Sequence, residues 1–353
     1  MTRRDLFSRL TFGLAFLSAL AFAPRALLWS LLFEPDAPLV PPKPFPLNPF
    51  THDGRALVVM IHGRDQAAML AEGIALLGGI APLALPGKRV LVKPNVVNNR
   101  LPPSTTSPEI ITAVVRLIQK AGGEVTVADS SGMLRFPTSE NLSETGVRRA
   151  AESVGARVLA LEEHPWVRVE PPSAAVSRSY LVSRPVYDAD IFLNLPVVKT
   201  HQFAHYSCSL KNLVGIVHPR DRPSIRFLSG QWHERIAELN LAVHPHLTIA
   251  DATTMMIAGG PTSGTPAQAN VLLLSGDRLA LDAVAVALIR SYGAWPKLQG
   301  KTVWSQRQIK RGGELGLGVK GPNQMELLVR SLEPQDDEFA RRADTVRRDL
   351  MIV

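Results

Sequence analysis

Short apolar runs alternate with amphipathic stretches along most of the chain, from residue 55 onward. The apolar runs predict β-strands over residues 56–61, 89–93, 124–128, 157–161, 191–195, 247–250 and 271–275. Periodic stretches with capping residues predict helices over residues 65–77, 107–121, 143–154, 208–216, 231–242 and 277–291. This alternation predicts an α/β fold: a mostly parallel or mixed sheet with helices on both faces. Residues 162–187 are less regular, and a second lobe could be inserted there.

The first 33 residues follow a different pattern. Residues 2–10, TRRDLFSRL, place paired arginines before the apolar run 11–23, as in a twin-arginine export signal. An ordinary signal anchor is the alternative, and Pro24 argues against cleavage after Ala21-Phe-Ala23. We expect residues 1–33 to engage the twin-arginine export machinery and, if uncleaved, to tether the protein to the membrane. The N-terminus would then stay in the cytoplasm, with the body on the periplasmic or extracytoplasmic face of the inner membrane.

A proline-rich segment separates this signal from the globular part. Residues 34–49, EPDAPLVPPKPFPLNP, contain seven prolines, which disfavour both helix and central strand. We therefore interpret residues 34–50 as an extended linker and residues 51–353 as the α/β domain.

Charge and cysteine content restrict the classes of partner and site. The formal net charge is +8 without a long Lys/Arg block, which argues against nucleic acid and suits an anionic small molecule or a lipid surface. The single cysteine, Cys208, excludes an internal disulfide and an all-cysteine iron–sulfur cluster made by this chain alone. We expect Cys208 to be a packing residue.

Polar side chains collect directly after the predicted strands. The stretch LPVVKTHQFAHYSCSLKN, residues 195–212, is the densest example. Ligands of open α/β sheets bind at the carboxyl ends of the strands, so these side chains predict an anion-binding pocket. The predicted binding residues are Lys93, Asn95, Lys199, Lys211 and Asn212.

Three further residues are candidates for catalysis. His201 lies between two lysines in sequence and is the predicted acid/base, although a lone histidine is more often structural. Asp129 and Asp251 each follow a strand and could orient it, with capping and turn formation as the alternative. His201 and His205 would form half of a metal site if the segment were helical, so a metal or a nucleotide-like cofactor stays open.

The glycine-rich loop 259–266, GGPTSGTP, follows a predicted strand. Its successive backbone amides could form an anion nest, with Gly260, Thr262 and Ser263 as the candidate contacts. An ordinary tight turn is the alternative.

The chain combines the motifs V-K-P-N (92–95), T-S-P-E (106–109), V-A-D-S-S-G (127–132), L-P-V-V-K-T-H (195–201), S-L-K-N-L-V-G (209–215), D-A (251–252), G-G-P-T-S-G-T-P (259–266) and L-A-L-D-A-V-A (279–285). In this combination it resembles the bacterial and archaeal family called domain of unknown function 362. The resemblance covers roughly residues 56–292 and implies a fold more than a reaction. Some members carry ferredoxin-type modules, which this chain lacks.

A second resemblance suggests a reaction. His201 and Lys211 lie ten residues apart after a strand, similar to a pair that contacts the cofactor in the nickel-pincer lactate racemase family. This resemblance implies proton abstraction next to a carboxylate. Two hypotheses follow: an isomerase-like or other acid–base enzyme acting on a small anion, or a non-catalytic ligand-binding or accessory protein of a periplasmic redox complex.

Overall fold

The computed structural model describes residues 35–132, 135–222, 230–334 and 336–353. The predicted export signal and membrane anchor, residues 1–33, lie outside these ranges. Among the helices of the described ranges, none is long and apolar enough to cross a membrane.

A mixed sheet of eleven strands forms the centre of the molecule, in the order β14-β3-β13-β12-β9-β4-β5-β6 along its main path. Strand β10 also pairs with β12, β11 extends from β10, and β2 pairs with β3. The strands are β2 (Thr51–His52), β3 (Arg55–His62), β4 (Arg89–Pro94), β5 (Glu124–Asp129), β6 (Arg157–Ala160), β9 (Ile191–Leu195), β10 (Val197–His201), β11 (His205–Ser207), β12 (Leu247–Gly259), β13 (Gly264–Ser275) and β14 (Met325–Ser331).

Most strand pairs on the main path are parallel. Strands β12, β9, β4, β5 and β6 all run in the same direction, whereas β13 is antiparallel to both of its neighbours. The carboxyl ends of β4, β5 and β9 consequently meet at one edge of the sheet. Since Lys93 and Asp129 are the last or next-to-last residues of their strands, this register brings them to the same edge.

Helices cover both faces of the sheet, as the sequence predicts. They are α1 (Gln66–Leu76), α2 (Pro108–Lys120), α3 (Thr138–Glu144), α4 (Val147–Glu152), α5 (Arg184–Asp188), α6 (Ser209–Asn212), α7 (Trp232–Leu239), α8 (Arg278–Arg290), α9 (Arg307–Glu314) and α10 (Asp337–Leu350). One hydrophobic cluster joins α1, α2 and α4 to the sheet, and a second joins α8, α9 and α10 to it. The α/β fold class is thus confirmed.

A smaller sheet of three strands lies beside the main one. It consists of β1 (Leu39–Val40), β7 (Trp166–Val169) and β8 (Tyr180–Ser183), in the order β1-β7-β8. Strands β7 and β8 come from the irregular region 162–187, and β1 comes from the proline-rich segment. Part of the predicted linker is therefore hydrogen-bonded to the body.

Several element boundaries differ from the sequence prediction. The helix predicted over 143–154 is two helices, α3 and α4, separated at Gly146, which has a φ of +78°. Strands β12 and β13 are much longer than predicted because they form one hairpin, closed where Gly259 pairs with Gly264. Residues 197–207 form the β10–β11 hairpin. The helix predicted over 208–216 is α6 followed by a 3-10 turn.

Candidate functional site

A pocket of about 540 Å³ opens at the carboxyl ends of β4, β5 and β10. We call it the strand-end pocket. Its described lining residues include Lys93, Asn95, Val96, Val97, Asp129, Ser130, Gly132, Arg135, Lys199, His201, Phe203, Ser207, Lys211, Asn212, Val214, Gly215, Arg222, Trp232, Pro261 and Thr262. The structure thus brings together most of the side chains predicted for the site.

Positive charge dominates this lining. Among the described residues of the pocket, five carry a basic side chain, namely Lys93, Arg135, Lys199, Lys211 and Arg222. Asp129 supplies the one carboxylate in the same set. A cleft lined by charges of one sign attracts ligands of the opposite sign, so the lining favours anions.

Lys93 and Asp129 form a buried ion pair at the base of the pocket. The Lys93 Nζ lies 2.6 Å from the Asp129 Oδ1, with 1% and 2% of the two side chains exposed. Burial lowers the pKa of Lys93, and the neighbouring Asp129 charge partly opposes this shift. The Asp129 carboxylate also accepts hydrogen bonds from the backbone N–H groups of Val96 (2.6 Å) and Ser130 (2.8 Å). Asp129 therefore holds Lys93 and the adjacent loops in place.

Gly215 packs directly against this ion pair. A Cβ atom added at Gly215 would lie 2.6 Å from the Asp129 Oδ1 and 2.9 Å from the Lys93 Nζ. Both distances are well inside van der Waals contact, so a side chain at this position would displace the pair. Sequence reasoning included Gly215 in a family motif but did not assign it to the site.

Lys199 is buried to the same extent as Lys93 but has different partners. Its Nζ donates to the Asn95 Oδ1 at 2.5 Å and to the Ser104 carbonyl oxygen at 2.7 Å. Burial, reinforced by the nearby charge of Lys211, brings the pKa of Lys199 well below its usual value. Asn95 thus contributes to the site by fixing a lysine.

Asn212 joins two strands of the pocket wall. Its Nδ2 donates to the Asn194 Oδ1 at 2.8 Å, and its Oδ1 accepts from the Lys93 Nζ at 3.3 Å. Both of these contacts are buried within the protein. Asn212 is therefore a positioning residue for Lys93 rather than a group directed at a ligand.

Two backbone amides determine the tautomer of His201. The Nδ1 atom accepts hydrogen bonds from the backbone N–H groups of Phe203 (3.2 Å) and Ala204 (3.1 Å). A backbone N–H group is a donor only, so Nδ1 must be the unprotonated ring nitrogen. A neutral His201 consequently carries its proton on Nε2. The ring can donate a hydrogen bond through Nε2, but it lacks the free lone pair that the predicted role as a base requires.

Arg222 is a pocket residue that sequence reasoning missed. Its guanidinium donates to the Ser130 Oγ (2.8 Å) and to the carbonyl oxygens of Val217 (2.8 Å) and Gly215 (3.2 Å). Burial lowers its pKa to about 10, which still leaves it charged at neutral pH. The charged run H-P-R-D-R at 218–222 is the signal that could have identified it.

An aromatic wall was also missed. The ring centroids of Phe203 and Trp232 lie 6.0 Å apart, and the His201 ring meets Trp232 edge-on at 5.3 Å. The Lys211 Nζ lies 5.9 Å from the centre of the Trp232 ring. These aromatic rings add apolar surface to a pocket whose charged side chains are mostly basic.

Three predicted site residues do not line the strand-end pocket. Asp251 accepts from the backbone N–H of Ser107 (2.8 Å) and from the hydroxyl of Thr253 (2.6 Å), so it fixes the start of α2. The N–H of Gly260 donates to the carbonyl oxygen of Ser263 at 2.8 Å inside the β12–β13 turn. This amide is thus used within the turn, and only Thr262 of the three predicted loop contacts lines the pocket.

His205 does not form the helical pair that would have suggested half of a metal site. It faces His201 across the β10–β11 hairpin, and its ring packs on His233 at 4.7 Å. Among the described residues, no group of three or more His, Cys, Asp or Glu side chains is arranged to hold a metal ion. Cys208 is buried in the hydrophobic core beside α8.

Comparisons with known proteins identify a curated relative and a solved structure that are similar to this chain. Over 220 residues, the chain is 29% identical to the thylakoid-associated protein sll1697 of Synechocystis sp., covering 61% of this chain and 67% of that protein. The solved structure is lactate racemase apoprotein from Thermoanaerobacterium thermosaccharolyticum, with 12% identity and a TM-score of 0.42. That similarity covers 65% of this chain and 56% of the racemase, less than two thirds of its length. It carries no argument about activity.

A family model also matches the body of the chain. The family is described as Domain of unknown function (DUF362), and the match runs over residues 90–287, more than half of the chain. These residues contain the segments 92–95, 127–132, 195–201 and 209–215, which supply most of the strand-end pocket. The chain therefore belongs to the Domain of unknown function (DUF362) family.

Proposed function

We propose that the strand-end pocket binds an anionic small molecule. The observation that carries this proposal is the set of five basic side chains against a single carboxylate among its described lining residues. Two of these side chains, Lys93 and Arg222, are buried cations, and electrostatic attraction is much stronger in buried surroundings than in water. An anion entering the pocket would offset the mutual repulsion of these charges.

The acid–base hypothesis takes a modified form in this geometry. Cations beside a bound carboxylate or phosphate stabilise negative charge that develops when a neighbouring proton leaves. His201 would donate a hydrogen bond from Nε2 to an oxygen of the ligand, as its contacts with Phe203 and Ala204 favour. Non-catalytic binding uses the same cations, so anion binding is the element common to both hypotheses.

Thermal unfolding of the full chain tests this binding. Buffers of equal ionic strength contain inorganic phosphate, a small carboxylate such as lactate, or chloride alone. We expect the melting temperature to rise with phosphate or lactate, in proportion to the logarithm of its concentration above Kd, because a ligand that binds the native state stabilises it by about 2.7 kcal/mol at 100 times its Kd. Melting curves that depend on ionic strength alone would contradict anion binding.

We also propose that the protein is exported and held at a membrane. The arginine pair and apolar run of residues 2–23 support export, and the similarity to sll1697, a thylakoid-associated protein, supports membrane association. The proline-rich segment would separate the membrane from the body.

Cell fractionation tests this location. The full chain, expressed in a bacterium with a twin-arginine pathway, should sediment with the membranes and be digested by protease added outside the inner membrane. The double substitution Arg3→Lys with Arg4→Lys should retain the body in the cytoplasm, since the paired arginines are the recognised feature. Equal export of both proteins would reject the twin-arginine route, and a soluble cytoplasmic wild type would reject the location altogether.

A further inference from the structure

Lys199 differs from the other lysines of the strand-end pocket in its surroundings. Lys93 lies 2.6 Å from the Asp129 carboxylate, and Lys211 is only half-buried. Lys199 is 1% exposed, and its hydrogen bonds go to the amide oxygen of Asn95 and the backbone carbonyl of Ser104. No carboxylate of the described residues lies within ion-pair distance of its Nζ. Its hydrogen-bond partners are therefore both uncharged.

These two partners match the donor capacity of an uncharged amine. A neutral amine has two N–H bonds and one lone pair, so donation to Asn95 and Ser104 uses both bonds and leaves the lone pair. Burial opposes protonation of Lys199, and the positive charges of Lys211 and Lys93 oppose it further, against a smaller opposite effect of Asp129. The pKa of Lys199 therefore lies well below its usual value. Lysines become nucleophilic at neutral pH in such surroundings.

We propose that Lys199 is a nucleophile that forms an imine with a carbonyl group of the anionic ligand. The inference rests on the proposed anion binding and narrows the ligand to a class: keto or aldehyde compounds that also carry a carboxylate or phosphate. The cations Lys93, Lys211 and Arg222 line the same pocket and would hold the anionic group. The carbonyl carbon would meet Lys199.

The step balances without an oxidant or reductant. The Nζ lone pair attacks the carbonyl carbon, the C–O π electrons move to oxygen, and a proton shifts from nitrogen to that oxygen to give a carbinolamine. With one proton taken from water, the hydroxyl group leaves as water while the nitrogen lone pair forms the C=N bond. The protonated imine keeps one N–H, for which Asn95 or Ser104 is the acceptor.

Such an imine would connect binding with the acid–base hypothesis. A protonated C=N bond withdraws electrons from the neighbouring carbon, so a proton on that carbon leaves more readily. The reaction class would then be proton transfer, decarboxylation or condensation beside a carbonyl group.

Reductive trapping tests the imine on the unmodified full chain. The protein is incubated at pH 7 with pyruvate and sodium cyanoborohydride, and modified peptides are mapped by mass spectrometry. We expect one adduct per chain, on Lys199, formed at least about tenfold faster than on exposed lysines, of which only about 1 in 2,000 is uncharged at this pH. Adducts distributed over exposed lysines such as Lys88, Lys120 and Lys320, with Lys199 unmodified, would overturn the proposal.

A variant and its control complete the test. Lys199→Arg cannot form an imine and should lose the adduct, while Lys120→Arg, the same exchange at an exposed site, should keep it. Phosphate-induced stabilisation is measured on the same wild-type preparation. Stabilisation without an adduct on Lys199 would overturn the imine and leave anion binding intact. Absence of both would overturn the two proposals together.

Discussion

Gly215 shows how tightly the base of the strand-end pocket is packed. The position lies in a 3-10 turn, where the backbone of any residue is tolerated, so its requirement for glycine is steric. The atoms that exclude a side chain are the Asp129 Oδ1 and the Lys93 Nζ. A substitution there consequently acts on a buried ion pair.

Replacing Gly215 with alanine should destabilise the protein by about 1–3 kcal/mol, because overpacking forces the ion pair apart. Urea-induced unfolding gives the change in free energy. Gly313→Ala is the matched control, since Gly313 lies in helix α9 and the nearest atom to an added Cβ is 3.5 Å away. That variant should be as stable as the wild type or slightly more so. Equal effects of the two substitutions would show that the ion pair adapts freely.

Single residues of the site were predictable where they directly follow a strand. Lys93 and Asp129 end their strands, so sequence position alone indicates the edge of the sheet they occupy. Asp251 also follows an apolar run, yet its carboxylate turns to Ser107 and Thr253. Which way a side chain faces depends on the neighbouring strand, and that information is absent from local sequence.

At the scale of elements, Asp282 of helix α8 holds the first residues of helix α6 by hydrogen bonds. Its carboxylate accepts from the backbone N–H groups of Ser209 (2.6 Å) and Leu210 (3.3 Å) and from the hydroxyl of Tyr206 (3.2 Å). Helix α6 carries Lys211 and Asn212 into the pocket region. The carboxylate is fully buried, and this burial raises the pKa of Asp282 to about 6.

This raised pKa predicts a pH-dependent difference between wild type and Asp282→Asn. Between the unfolded value near 4 and about 6, the folded wild type binds more protons than the unfolded chain. The wild type should therefore lose stability relative to the variant as pH rises from about 4 to 6.5, by at most about 3 kcal/mol. The measurement is the free energy of unfolding in urea at several pH values.

Asp190→Asn is a control of opposite sign for this experiment. Hydrogen bonds from Arg89 hold the pKa of the exposed Asp190 at about 2, below its unfolded value. The wild type should accordingly lose stability relative to Asp190→Asn as pH falls from about 4 toward 2. Parallel pH profiles of the wild type and Asp282→Asn would mean that Asp282 is ionised as readily in the folded protein as in the unfolded chain.

The β10–β11 hairpin shows why some elements escaped prediction. Residues Val197 to His201 form a fully buried strand, but Lys199 and His201 interrupt the apolar pattern by which strands are recognised. The polar side chains line a pocket instead of contacting solvent. Polar site residues within a strand thus hide the apolar pattern that would predict it. The mainly apolar strand β9 was predicted at its observed boundaries.

For the whole molecule, the sequence predicts the α/β class and most of the sheet strands and helices between β3 and α8. It predicts neither the elements after α8, which are α9, β14 and α10, nor the order of strands in the sheet. The decisive contacts of the site join distant parts of the chain. Lys199 donates a hydrogen bond to Asn95, which lies 104 positions away in the sequence, and Arg222 donates one to Ser130, 92 positions away. Local periodicity contains no information about such pairings. Arg222 was therefore identified as a residue of the pocket only from the structure.

The central claim is that the cations of the strand-end pocket form one anion site. Isothermal titration calorimetry of the full chain with inorganic phosphate, at constant ionic strength, tests it with two variants of equal charge change. The account predicts one saturable site per chain. Affinity should fall at least about tenfold (about 1.4 kcal/mol) in Lys211→Met and stay within about twofold of wild type in Lys120→Met, which removes an exposed charge outside the pocket. Equal losses in both variants, or no saturable binding by the wild type, would contradict the account.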